Sequence, residues 1–153
     1  MKFNQHIKKF HIAGAILLGG FFFIFDQIAK YIARSFPETS LYVIKPWLGW
    51  EHLENTGIAF GIPFPQILLI ILTPLLLFFF VSSLKKHTIH PIGFYGIALL
   101  LFGAISNLID RIIFQTTTDY LRIITSIMNI ADVMIVVGAC LLFLQEIHYK
   151  KIY

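Results

Sequence analysis

The chain has a single cysteine, Cys140, and only 13% of its 153 residues are charged. One thiol excludes both a disulfide framework and a cysteine-based metal site, and it leaves Cys140, inside the last apolar run, to packing. The scarcity of charge excludes an ordinary soluble domain, in which roughly a quarter of residues would be charged. What remains is the bilayer as solvent. Apolar residues make up 58% of the chain and 16 are phenylalanine, gathered in and beside the apolar runs as lipid-facing and interfacial side chains are. A single integral membrane domain, residues 1–153, is expected, with bilayer phospholipids around it and no nucleic acid partner. A monomer is favoured, although the sequence does not fix the oligomeric state.

Four stretches approach the length of about 20 helical residues that crosses a hydrocarbon layer: about 12–33, 66–83, 91–110 and 130–147. Lys8 and Lys9 before the first stretch imitate a secretory leader, but no small-residue cleavage motif follows Phe21 to Phe25. A retained anchor is expected. Cations set the orientation. Lys2, Lys8 and Lys9, the second connection (Lys85, Lys86) and Lys150 with Lys151 face one acid, Glu146, so these segments are expected in the cytoplasm together with both termini.

The polar chemistry then falls on the opposite, outward side. Asp26 and Lys30 lie at the outer end of the first span, Asn55 in the first outer connection, and Asn107, Asp110 and Arg111 at the end of the third. Asp119, Asn129 and Asp132 stand before or just inside the fourth. A carboxylate this close to a bilayer core is costly unless paired or hydrated, so it reads as functional by default. Asp26 and Lys30, four apart, share a helical face and suit a structural ion pair. Asn107, Asp110 and Arg111 share a face too. The planar fork of Arg111 suits a carboxylate or a peptide carbonyl, with Asp110 holding the fork in place. Asp132 has two readings: chemistry, or a capping box with Asn129 as N-cap. Asp119 follows Thr116-Thr117-Thr118 with no capping task, and its alternative is a solvated loop carboxylate.

The first outer connection contains Leu41-Tyr42-Val43-Ile44, then Trp47, Leu48 and Trp50. Alternation of β-branched and aromatic residues predicts short strands, and the tryptophans suit a surface lying against headgroups. A small outward β element, about 38–62, is expected. The glycines of Asn55-Thr56-Gly57-Ile58-Ala59-Phe60-Gly61 permit a turn, and Thr73-Pro74 should kink the second span. The histidines, including His87-x-x-His90, are scattered over both sides, so neither a metal nor another cofactor is expected.

Taken in order, Asp26-x-x-x-Lys30, Asn55-Thr-Gly57-Ile-Ala59-Phe60, Asn107-Leu-Ile-Asp110-Arg111 followed by Asp119, and Asn129-Ile-Ala131-Asp132 with Gly138 beyond resemble the motifs of lipoprotein signal peptidase, also called signal peptidase II. The resemblance runs from the first span to the last. It implies an all-α bundle of four transmembrane helices with an outward β element, in the bacterial cytoplasmic membrane. It also implies an aspartyl endopeptidase that removes signal peptides from prolipoproteins by cutting before a diacylglyceryl-modified cysteine. On that pattern the catalytic pair falls on Asp119 and Asp132. Asn55, Gly57, Asn107, Arg111 and Asn129 would bind substrate or orient the pair, while Asp26, Lys30, Asp110 and Ala131 would support them. The chain departs from the pattern at Ser106, usually glycine, at Gln115-Thr-Thr117-Thr-Asp119-Tyr120 in place of Gly-x-Val-x-Asp-Phe, and at Met128, usually phenylalanine. The stretch between the two aspartates is also shorter than usual.

Two other classes stand beside this one. Small ion or proton carriers also place Asp, Arg and Lys in spans, but their path would leave polar residues at middle and inner depths, where this chain is almost purely apolar. A relative that binds prolipoproteins without cutting them would also fit the altered motifs.

Overall fold

The computed structural model describes residues 5–58, 62–84 and 89–152. Lys2, the lysines of the second connection, His87 and the stretch from Ala59 to Gly61 lie outside the described residues. Four helices are long and apolar enough to cross a membrane: α1 (Gln5–Ser35), α2 (Gln66–Leu84), α3 (Pro91–Phe114) and α4 (Ile130–Ile152). Strands β1 (Leu41–Ile44) and β2 (Leu48–Asn55) fill the connection after α1. Both ends of α3 follow local rules. Pro91 opens it where a missing N–H costs nothing, and Gln115 closes it in the left-handed region at φ 60° with its N–H on the Arg111 carbonyl.

The expected β element is present, but it is only half of a sheet. The connection after α3, expected as a loop, is a hairpin of β3 (Thr117–Ile123) and β4 (Ser126–Met128). The sheet is antiparallel throughout in the order β1-β2-β3-β4. Asp119 is therefore no solvated loop residue. It sits opposite Leu53 on β2 and is 1% exposed.

α3 packs against both α1 and α4. Its approach to α4 needs glycine, because a Cβ on Gly96 would lie 2.9 Å from the Gly138 carbonyl oxygen and one on Gly103 would lie 2.6 Å from that of Ala131. α2, which carries Pro74 inside it, buries none of its residues and touches mainly α3. The sheet is fastened to α1 by Ala29, Ala33 and Tyr120, with Trp50, Leu121 and Ile130 packed around them. The rings of Trp50 and Tyr120 lie 4.9 Å apart. Strand β3 and the start of α4 thus meet the C-terminal part of α1, where Asp26 and Lys30 sit.

Candidate active site

Helix α1 brings Asp26, Lys30 and Arg34 to one face at spacings of four. The expected Asp26–Lys30 pair forms, with Nζ 2.9 Å from Oδ2 and both side chains fully buried. It is the centre of a larger network. Lys30 also lies 3.3 Å from Asp110 and donates to Asn107 Oδ1 at 2.9 Å and to Ser106 Oγ at 3.3 Å. The hydroxyl of Ser106 donates to Asp26 at 2.6 Å and accepts from Gln27 at 2.7 Å. Asp26 Oδ1 accepts from the Tyr120 hydroxyl at 2.8 Å and from the Ala131 N–H at 3.1 Å. Burial and the Asp26 charge push the Tyr120 phenol up, so it stays a donor. Through these bonds α1 holds both the residue after Asp119 and the first turn of α4.

Asp110 does not hold the fork of Arg111 as expected. Its hydrogen bonds go to the Thr118 N–H at 3.0 Å and to Arg34 at 3.5 Å, in addition to the Lys30 contact. Arg34 donates as well to the Thr118 hydroxyl at 2.9 Å and stacks 4.2 Å from the centre of the Phe114 ring. Arg34, Thr118 and Tyr120 were assigned no role by motif, although Tyr120 stands where the pattern has phenylalanine. Arg34 was within reach, since it continues the Asp26, Lys30 spacing by four.

The two remaining aspartates are held differently. Asp119 accepts from the side-chain amides of Asn55 at 2.9 Å and Asn129 at 2.7 Å. Asp132 accepts from the Asn107 amide at 2.8 Å and from the Asn129 N–H at 3.3 Å, while Asn129 Oδ1 accepts the Asp132 N–H at 2.9 Å. The capping box is real, and it coexists with the site. Asn129 touches both carboxylates, one through its side chain and one through its backbone. Lys30 fixes the Asn107 amide with its oxygen inward, so that its NH₂ group faces Asp132. Gly57 acts at one remove. Its N–H donates to Asn55 Oδ1 at 2.9 Å, turning the Asn55 amide nitrogen to Asp119, and a Cβ there would lie 1.9 Å from the Ile62 carbonyl oxygen.

Both carboxylates border one cavity of ≈ 530 Å³, with Asn55, Asn107, Arg111 and Thr117 beside them. Its remaining wall is largely apolar, with Ile58, Ile127, Met128, Val133 and Val136 among its residues and Thr73 contributed by α2. Burial, and next the Asp132 charge, push the Asp119 carboxyl up from 3.8 to about 7, against the pull of the Asn55 and Asn129 amides. Near neutral pH it is poised between its two forms. A buried carboxyl pushed up to near neutrality beside a second one in an apolar cleft is a candidate for acid and base chemistry.

Four membrane-spanning helices with two carboxyls on one apolar cavity suit a membrane hydrolase, and the sequence comparisons give its class as aspartic-type signal peptidase. The family model described as signal peptidase (SPase) II matches residues 18–148, and the chain belongs to the signal peptidase II family. Among its relatives, the lipoprotein signal peptidase of Caldanaerobacter subterraneus subsp. tengcongensis is 33% identical over 84% of this chain and 92% of its own length. That of Staphylococcus aureus strain JH9 is 32% identical over 90% of each chain. Two solved structures share the fold. A bacterial membrane enzyme determined by the in meso method at 2.3 Å superposes with TM-score 0.81 at 28% identity over 89% of this chain and 88% of its own. Another, determined at 1.9 Å, gives 0.74 at 29% identity over 87% and 92%.

Proposed function

We propose that this protein is a prolipoprotein signal peptidase in which Asp119 and Asp132 form the cutting pair, at the outer face of the cytoplasmic membrane with both termini inside. The observation that carries the reading is that, among the described residues, these two aspartates alone share the cavity, and only neutral amides and a backbone N–H bond them.

Charge balance supports the pairing. The carboxylates of Asp26, Asp110, Asp119 and Asp132 face three cations, Lys30, Arg34 and Arg111. Neutrality in this poorly solvated end of the bundle needs one proton among the four carboxylates. Asp26 and Asp110 are ion-paired with Lys30 and Arg34 and Asp119 and Asp132 have no such pair among the described residues, so we assign the proton to the second pair. Asp119 carries it, and Asp132, at the N-terminus of α4 where the helix dipole favours negative charge, is the ionised member.

With a peptide in the cavity, Asp132 takes a proton from water as that water adds to the scissile carbonyl, while protonated Asp119 hydrogen-bonds the carbonyl oxygen. The tetrahedral intermediate collapses as the proton on Asp132 passes to the departing amine. The C–N bond breaks, and the pair returns to its shared-proton state. Arg111, bordering the same cavity, offers a donor to a substrate carbonyl. The apolar walls from α3 and α4, with Thr73 of the sparsely packed α2, suit a peptide whose diacylglyceryl group arrives sideways from the bilayer.

The test is incubation of the purified protein with a diacylglyceryl-modified prolipoprotein, alongside Asp119→Asn and Asp132→Asn. Cleavage before the lipidated cysteine by wild type and by neither folded variant is expected. Cleavage that persists in both variants removes the pair from the mechanism. A folded wild type that binds the substrate and leaves it whole belongs to a binding protein.

A further inference from the structure

Two buried polar atoms at the cavity are left without a partner: the Nε of Arg111 and the Oγ1 of Thr117. The other described residues with such atoms, His11, His52 and Gln66, do not border it. An orphaned buried hydroxyl is destabilising, and a fold keeps one where something else will pair with it. Thr117 is 2% exposed and stands on β3 two residues before Asp119, so both side chains leave the same face of the strand, about 6.6 Å apart along it. An extended substrate peptide repeats with that same pitch. With its scissile bond at Asp119 and Asp132, its backbone two residues away comes level with Thr117.

We infer that Thr117 is a substrate-binding residue whose hydroxyl hydrogen-bonds a backbone amide of the signal-peptide substrate within two residues of the scissile bond. Exchange between staggered rotamers swaps its methyl and hydroxyl groups, so the hydroxyl reaches the peptide without movement of β3. Arg111 Nε, a donor only, complements it by serving the carbonyl side of the bound backbone. The inference rests on the peptidase reading above and names a contact within that site.

The test exploits an isosteric swap. Thr117→Val removes the hydroxyl and keeps the shape. If the hydroxyl waits for substrate, kcat/KM on the diacylglyceryl-modified prolipoprotein falls about tenfold, the worth of one good hydrogen bond, while the thermal midpoint in detergent holds or rises. Thr117→Ser keeps most of the activity. Independently, a set of wild-type substrates carrying an ester in place of one amide at a time, across two residues either side of the scissile bond, shows one position costing about tenfold. That loss shrinks in Thr117→Val, because the partner is already gone. Unchanged kcat/KM in folded Thr117→Val, or no costly ester position in the wild type, overturns the inference and leaves the peptidase reading intact. A wild type that does not cut the parent amide substrate overturns both.

Discussion

Asp26 and Asp110 are as deeply buried as Asp119, at the same end of the same bundle, yet the two kinds of site are built from different partners. Lys30 lies against both Asp26 and Asp110, and Arg34 adds a second cation to Asp110. Among the described residues, Asp119 and Asp132 receive only the amides of Asn55, Asn107 and Asn129 and one backbone N–H. A cation fixes its carboxylate in the ionised form and makes it structural. Neutral donors satisfy oxygen lone pairs without supplying charge, so the carboxyl can still hold or release a proton. Burial is common to Asp26, Asp110 and Asp119, and what distinguishes them is the choice between cation and amide.

The contrast is broken most severely by removing either amide-held carboxyl. Asp119→Asn and Asp132→Asn are each expected to lower the cleavage rate at least about a thousandfold, with the folded protein still recovered in detergent. The opposite side is broken by Lys30→Met, which strands Asp26 and Asp110 without their shared cation. Unpairing a buried charge costs about 3–5 kcal/mol. The thermal midpoint should drop sharply, and the residual activity should follow the folded fraction. Asn55→Ala sharpens the comparison, because it removes one neutral donor from Asp119. A loss of about 1–3 kcal/mol in stability is expected. The Asp119 carboxyl should rise further, since the amide pulls it down, and the alkaline limb of the pH–rate profile should move to higher pH.

The smallest effect is on stability against pH. A carboxyl raised from 3.8 to about 7 in the folded protein contributes stability that is complete below the lower value and lost as pH rises through the upper one. Wild type should therefore lose thermal stability between about pH 4 and pH 7 relative to Asp119→Asn. Parallel midpoints for the two across that range would count against a proton held on Asp119.

Local pattern carried much of this into view. The four spans, the Asp26–Lys30 pair and the Asn129–Asp132 box are all set by spacing within one helix. The hairpin of β3 and β4 was not legible, because its pairing partner on β2 lies more than 60 residues earlier, as in Asn55 with Thr117. Thr117 to Tyr120 are moreover buried on both faces of the strand, which erases the alternation that marks a half-exposed one. Asp110 and Arg111 show the limit of counting along a helix. Neighbours in sequence, they serve different partners: Asp110 binds Lys30, Arg34 and the Thr118 N–H, while Arg111 borders the cavity. Ser106 stood out only as a departure from pattern, and the structure places its hydroxyl among Asp26, Gln27 and Lys30.

Isotope-edited infrared titration of the aspartate carboxyls tests most directly whether the amide-held pair keeps a proton. In wild type at about pH 6, below the Asp119 value of about 7, one protonated carboxyl band is expected, absent from Asp119→Asn and fading as pH is raised through neutrality. A protonated band untouched by Asp119→Asn, or none at all in the wild type, would contradict the assignment.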